Sequence, residues 1–427
     1  MAVAILSFLQ SCGLVTETYD DPSVTENGNG NTVLVLRLNA LSKPMAVLEG
    51  SNAPVEQVKS LRIIMVDGEG TIEVNEKIDD LNALAMSYIY TFRYVTKSGF
   101  KRFYFFANEE SAGKIGFQPV PPEDGGTLDE KFYEKFRNYD LTRILDSYAP
   151  GNSESAELEE VLAATYIIPT YNVERNEWNP TDPGRIALPY TSYYQLEMEG
   201  GTRYEQDMYL VPVATKIDVN FINNRNNPVK LKRLSLISLA DRNFLMPHVG
   251  TDDYEKDGRF WIDWLAEIAR ESHDNTEYED NEKFNDLKGW IADYLLPLKP
   301  DYKPANLLMD IEGLEIPGQS ASEVGGSQEP GRRSIPTVYF PESRYIPDSD
   351  PRMEGQQSYM LELIVEDESS QDGEIVLRRT LSNVKAFFRN THLVIDVEFA
   401  EGYMHVYGEI QDWASDQPVN GYVREEQ

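Results

Sequence analysis

The chain has 427 residues, enough for two or three domains that each bury their own core. Asp and Glu outnumber Lys and Arg by 72 to 39, a net charge of −33 that repels nucleic-acid phosphates and offers no basic patch to an anionic leaflet, so no nucleic acid is expected as a partner. A hydrophobic fraction of 41% with 25 Tyr puts this acidity on the surface of a folded chain, and a single cysteine forbids an internal disulfide.

Met1 to Ser11 carries no charge and is mostly apolar, too short to span a bilayer but the length of a signal-peptide hydrophobic region. The stretch Leu9-Gln10-Ser11-Cys12 resembles a bacterial lipobox, in which a small residue before the cysteine permits cleavage and the sulfur takes a diacylglyceryl group. Residues 1–11 are therefore expected to be a signal peptide remnant and Cys12 the lipidated residue. The alternative for Cys12 is a lone buried thiol packing as a small hydrophobe. Residues 12–31 are polar, lack apolar periodicity and read as a lipidated flexible tether, about 65 Å long if fully extended.

The first strand signal is TVLVLRL, Thr32, Val33, Leu34, Val35, Leu36, Arg37 and Leu38, apolar enough to be buried on both faces. SLRIIMVDGEG, from Ser60 to Gly70, is a β run closed by an Asp-Gly turn. SYIYTFRYVTKSGFKRFYFFAN gives two aromatic and β-branched runs around Lys97-Ser98-Gly99, which predicts a hairpin. In LDEKFYEKFRNYDLTRILDSY, Phe132, Phe136, Tyr139, Ile144, Leu145 and Tyr148 recur at three- and four-residue steps, the stripe of a helix lying on a sheet.

A domain boundary is expected near residue 200, dividing an N-terminal β-sandwich (32–200) from a C-terminal one (201–427). YLVPVATKIDVNFIN alternates at Val211, Val213, Ile217, Val219 and Phe221, and VKLKRLSLISLA is expected to be its partner strand. Two amphipathic helices, with Phe260, Trp261, Trp264, Leu265 and Ile268 on one and Phe284, Leu287, Ile291 and Tyr294 on the other, make a helical insertion at about 259–297. IPGQSASEVGGSQEPGRRS reads as a surface loop. Strands resume at PTVYF and run to the end, the last two joined at Glu401-Gly402. Many short strands, turn signals and few helices predict a mainly β chain of two β-sandwiches.

The residues nominate no catalytic or metal site and no cofactor. His248, His273, His392 and His405 lack zinc-ligand spacing, although His392 and His405 could meet across the last hairpin. Two loops starting at Asp253 and Glu368 begin like calcium loops, but their twelfth positions are Trp264 and Arg379 where a bidentate Glu is needed. No nucleophile elbow, Walker loop or dinucleotide fingerprint occurs.

The final stretch, VKAFFRNTHLVIDVEFAEGYMHVYGEIQDW, resembles the terminal hairpin of the type V fimbrillin family of Bacteroidales, the FimA/Mfa-like fimbrial subunits. The resemblance rests on Arg389-Asn390-Thr391-His392 before the strand and on the closing Ile410-Gln411-Asp412-Trp413. VPVATKIDVNF, PTVYFPESRY, TVLVLRLNALSK and VEQVKSLRIIMVDGEG are similar to further strands of that family. It implies an outer-membrane lipoprotein with two transthyretin-like β-sandwich domains, whose first strand is cut away after a basic residue so that a segment of another subunit takes its place. Here Thr32 to Leu38 would be the removable strand, and Arg37 and Lys43 the candidate processing residues.

Lys43 is followed by Pro44, Arg37 lies inside the strand, and the tail after Trp413 is polar with Pro and Gly, features that suit an anchor or accessory subunit as much as a stalk. The implied partners are other fimbrial subunits, the outer membrane and a host or bacterial surface ligand. A different class of function, a surface glycan-binding or glycan-degrading lipoprotein, is suggested by the Tyr, Trp and carboxylate content and requires exposed rings.

Overall fold

In this computed structural model the described residues are 31–40, 58–79, 89–112, 114–117, 139–153, 155–168, 171–172, 177–178, 188–201, 203–239, 243–246, 305–319, 331–335, 337–340, 359–366, 373–381, 389–400 and 403–412. They are mainly β. In chain order come β1 (Asn31–Ala40), β2 (Leu61–Asp67), β3 (Ile72–Ile78), β4 (Ile89–Lys97), β5 (Gly99–Ala107), β6 (Lys114–Phe117), helices α1 (Leu141–Asp146) and α2 (Ser155–Ala164), β7 (Thr165–Ile168), β8 (Tyr171–Asn172), β9 (Glu177–Trp178), β10 (Tyr190–Met198) and β11 (Arg203–Pro212). There follow β12 (Thr215–Asn223), β13 (Val229–Leu239), β14 (Asn243–Phe244), β15 (Ala305–Ile316), β16 (Arg332–Ser334), β17 (Val338–Phe340), β18 (Met360–Glu366), β19 (Glu374–Thr380), β20 (Thr391–Ala400) and β21 (Tyr403–Asp412).

Seven strands join in the order β3-β2-β5-β10-β11-β1-β4. β10 and β11 pair only where Tyr190 and Thr191 meet Pro212 and Val211, and at that corner the sheet turns back over itself. The layer β4-β1-β11 thereby covers β3-β2-β5-β10, with Leu34, Leu36, Leu38, Leu61, Ile63, Met65, Phe103, Phe105, Met208 and Leu210 in one core between them. The period of two on a strand puts every other side chain on this face.

The opposite face of β2 and β5 is apolar as well. Ile64, Val66, Tyr104 and Phe106 pack against Ile144, Leu145 and Tyr148 of the α1 segment and Leu158, Val161 and Leu162 of α2. Ile144 and Leu145 thus lie on a sheet as the stripe predicts, but the helix starts only after Asp140, so Tyr139 precedes it and Tyr148 follows its end; Phe132 and Phe136 lie outside the described residues. Asp140 caps α1 by accepting from the Arg143 amide at 2.8 Å.

On the same face Arg62 is buried. Glu109 matches it in a bidentate pair at 2.8 and 2.9 Å, and Asp146 of α1 accepts at 2.6 Å. A buried guanidinium needs such partners to offset its desolvation, so the pair also fixes where α1 sits.

The Lys97-Ser98-Gly99 turn does not close the expected hairpin. β4 pairs with β1, whereas β5 pairs with β2 and β10. Gly99, at φ 113°, lets the chain pass from one layer to the other, and composition shows the two runs without showing which layer each joins. The Asp67 turn does form a hairpin, β2 to β3, with Asp67 Oδ1 accepting from the amides of Glu69 and Thr71 at 3.0 and 2.7 Å.

The second sandwich sets β16-β12-β20-β21, with β17 also on β12, against β15-β13-β18-β19. Burial alternates perfectly along β12, whose inward Phe221 stacks near Phe399 of β20. The expected β12–β13 pair does not exist. β12 runs parallel to β20, and β13 goes to the other sheet beside β15 and β18. Buried Asn223, at the end of β12, makes this crossing by donating to the carbonyls of Asn227 at 2.9 Å and Ile316 at 3.2 Å.

Candidate functional site: the first strand and its slot

β1 is an inner strand, not an edge. It runs parallel to β11, from Val33 opposite Arg203 to Ala40 opposite Leu210, and antiparallel to β4, from Asn31 opposite Lys97 to Asn39 opposite Ile89. Val33, Leu34, Val35, Leu36 and Leu38 are all buried, so both faces of the strand are covered. Five apolar side chains at about 2 kcal/mol each contribute on the order of 10 kcal/mol. That is comparable with the whole stability of an ordinary domain. Vacating this place without refilling it would unfold the sandwich.

The walls of the place have other supports. β11 is held at its end by β10. β4 reaches the facing layer through side chains: the Tyr94 hydroxyl donates to Glu76 at 2.9 Å and the Thr96 hydroxyl to Glu73 at 2.6 Å. Burial, and then the Glu76 carboxylate, raise the Tyr94 phenol above its ordinary value, so it stays a donor. Glu73 also pairs with buried Lys101 at 2.7 Å. These bonds tie β4 to the facing layer through side chains, while its backbone pairs with β1, which occupies a place one strand wide between β4 and β11.

Among the predicted site residues, Thr32 to Leu38 are all in β1. The Thr32 hydroxyl donates to the Glu199 carbonyl at 2.8 Å. Arg37 is the one member whose side chain reaches solvent, at 41% exposure, where it pairs with Glu205, itself paired with Arg203 at 2.8 Å. Its backbone lies between Thr91 and Asp207 in the sheet, a conformation that a protease cleft cannot enclose while β1 is seated. Cys12 and Lys43, the tether, the helical insertion and the tail after Asp412 lie outside the described residues.

The Arg-Asn-x-His motif proves to be a junction, which spacing alone does not reveal. Arg389 is fully buried and donates to the Thr191 hydroxyl at 3.3 Å and the Leu245 carbonyl at 3.2 Å, groups belonging to the first sandwich. Asn390, at φ 61°, donates its amide to the Ala214 carbonyl at 3.0 Å. Tyr339 of β17 enters the first core from the other side. His392 does not meet His405; its Nε2 lies 2.8 Å from Asp218 Oδ2 on β12. Burial opposes ionisation of Asp218, but the hydrogen bond and charge of His392 hold its carboxyl below the ordinary value. Among the described residues no group of three or more His, Cys, Asp or Glu stands together as metal ligands would.

Fold and strand order together define a β-sandwich protein whose first described strand sits as an inner strand between β4 and β11. No family model matches the chain, and no curated protein matches it in sequence. Among solved structures the chain is similar to the tip fimbrial protein Mfa3 from Porphyromonas gingivalis, at 12% identity and a TM-score of 0.46 over 90% of this chain and 100% of that one. It is similar to a fimbrilin, FimA, from Porphyromonas gingivalis (10% identity, TM-score 0.44, 90% and 98% covered). A fimbrial assembly protein from Parabacteroides distasonis is a further neighbour (9% identity, TM-score 0.35, 90% and 98% covered).

Proposed function

We propose that the protein is a non-catalytic structural subunit of a cell-surface fimbria that serves adhesion, assembling with other fimbrial subunits by strand exchange at β1. The observation that supports this reading is the seat of β1: an inner strand, buried on both faces, beside a wall strand tied to the opposite layer by Glu73 and Glu76. A donor strand entering that slot would satisfy the backbone of β4 and β11 and refill the apolar core in one step. The precursor is held at the outer membrane by lipid on Cys12, with residues 12–31 as tether. The domains are transthyretin-like; the division expected near residue 200 is moved past Pro212, because β11 pairs with β1 and β10 of the N-terminal sandwich.

A stalk role requires loss of β1, by cleavage after Lys43 or after Arg37; an anchor or accessory role keeps it. Trypsin applied to the folded, lipidated chain separates them. Release of a fragment ending at Lys43 despite the following Pro44, with ladders of SDS-resistant oligomers, is expected of a stalk subunit; a cut after Arg37 requires β1 to leave the sheet first. A chain that loses the fragment and remains monomeric contradicts strand exchange.

A further inference from the structure

The sheet containing β12, β20 and β21 turns one face to the second core and the other outward. On the outward face of β21, Tyr403, His405 and Tyr407 occupy alternate positions and all are exposed. Tyr403 and Tyr407 keep 50% and 53% of their surface open, the two exposed aromatic side chains among the large exposed hydrophobics of the described residues. The rings brace one another. His405 stands edge-on to Tyr403 at 4.7 Å and nearly parallel to Tyr407 at 6.0 Å, so the row is formed before any ligand arrives.

Polar groups lie beside this row. Glu398 of β20 is in register with His405, and Asp396 with Tyr407. Asp396 accepts from the Asn220 side-chain amide at 2.9 Å, and Glu398 accepts from that of Asn224. An aromatic row carried on about 14 Å of strand, flanked by carboxylates held in place by amides, is therefore presented on a pleated surface.

We infer that this face of β21 and β20 binds an uncharged polysaccharide, sugar rings stacking on Tyr403 and Tyr407 while hydroxyls donate to Asp396 and Glu398. The carboxylates, within a chain of net charge −33, repel sulfated, sialylated or uronic chains and the same face of a second copy. Uncharged sugars combine a C–H face for the rings with donors for the carboxylates. The site lies in a different sheet from β1, so it stands or falls separately from strand exchange.

The test is affinity electrophoresis of the full chain in native gels containing mannan, dextran or hydroxyethyl cellulose, with polylysine as a separate titrant. At least one neutral polysaccharide is expected to retard the chain. Y403A/Y407A should weaken that binding at least about tenfold, while Y403F/Y407F, which keeps both rings, should stay within about threefold. All three proteins should share the melting behaviour of the parent, because the altered groups are on the surface. Retardation by none of the three polysaccharides, retardation that Y403A/Y407A leaves intact, or ring-dependent binding of polylysine alone would each overturn the inference.

Discussion

Asp218 illustrates how a single side chain couples the second sandwich to pH. Its carboxyl is held below the ordinary value by His392, so its contribution to stability is present above the unfolded-state value and disappears as pH falls through the folded one, below about pH 4. Thermal melts from pH 7 to pH 3 should show an acid-side loss of stability that is smaller in Asp218→Asn than in the parent. Gly318 is constrained in another way. A Cβ there would lie 2.0 Å from the Asn226 carbonyl oxygen, so Gly318→Ala should cost about 2 kcal/mol or more in urea unfolding. Neither effect was legible from composition: Asp218 and His392 are 174 residues apart, and Gly318 sits in a stretch that reads as an ordinary Gly/Ser loop.

At the scale of elements, local signals were readable and partner choice was not. Glu401-Gly402 predicts the β20–β21 hairpin, which pairs Ala400 with Tyr403, and Asp67 with its glycines predicts β2–β3. Thr32 to Leu38 predicts a strand buried on both faces, as found. By contrast, the β4–β5 and β12–β13 hairpins fail because turn chemistry does not encode whether a chain returns beside itself or crosses to the facing layer. The parallel pairing of β1 with β11 joins segments about 170 residues apart, and no local pattern announces it. The buried pair on β2 yields a sharp prediction. Glu109→Gln removes one of the two carboxylates that face buried Arg62, leaving Asp146, and should cost about 1–3 kcal/mol, whereas a compensating Arg62→Met/Glu109→Leu double variant should recover most of it in the same denaturation assay.

For the whole molecule, Arg389, Asn390 and Tyr339 link the two sandwiches. The parent should therefore unfold in a single cooperative transition, and Arg389→Met should separate it into two calorimetric peaks. The central claim, however, is that the β1 slot accepts a strand supplied from outside. It is tested most directly by placing a specific protease site between residues 41 and 57, cutting the folded chain, and adding a fluorescent peptide of sequence NTVLVLRLNA. The account predicts that the peptide replaces β1 and co-migrates with the chain, and that Leu36→Asp in the peptide abolishes this uptake. A cut chain that keeps its own β1 and takes up no peptide, or takes up the Asp variant equally well, would contradict it.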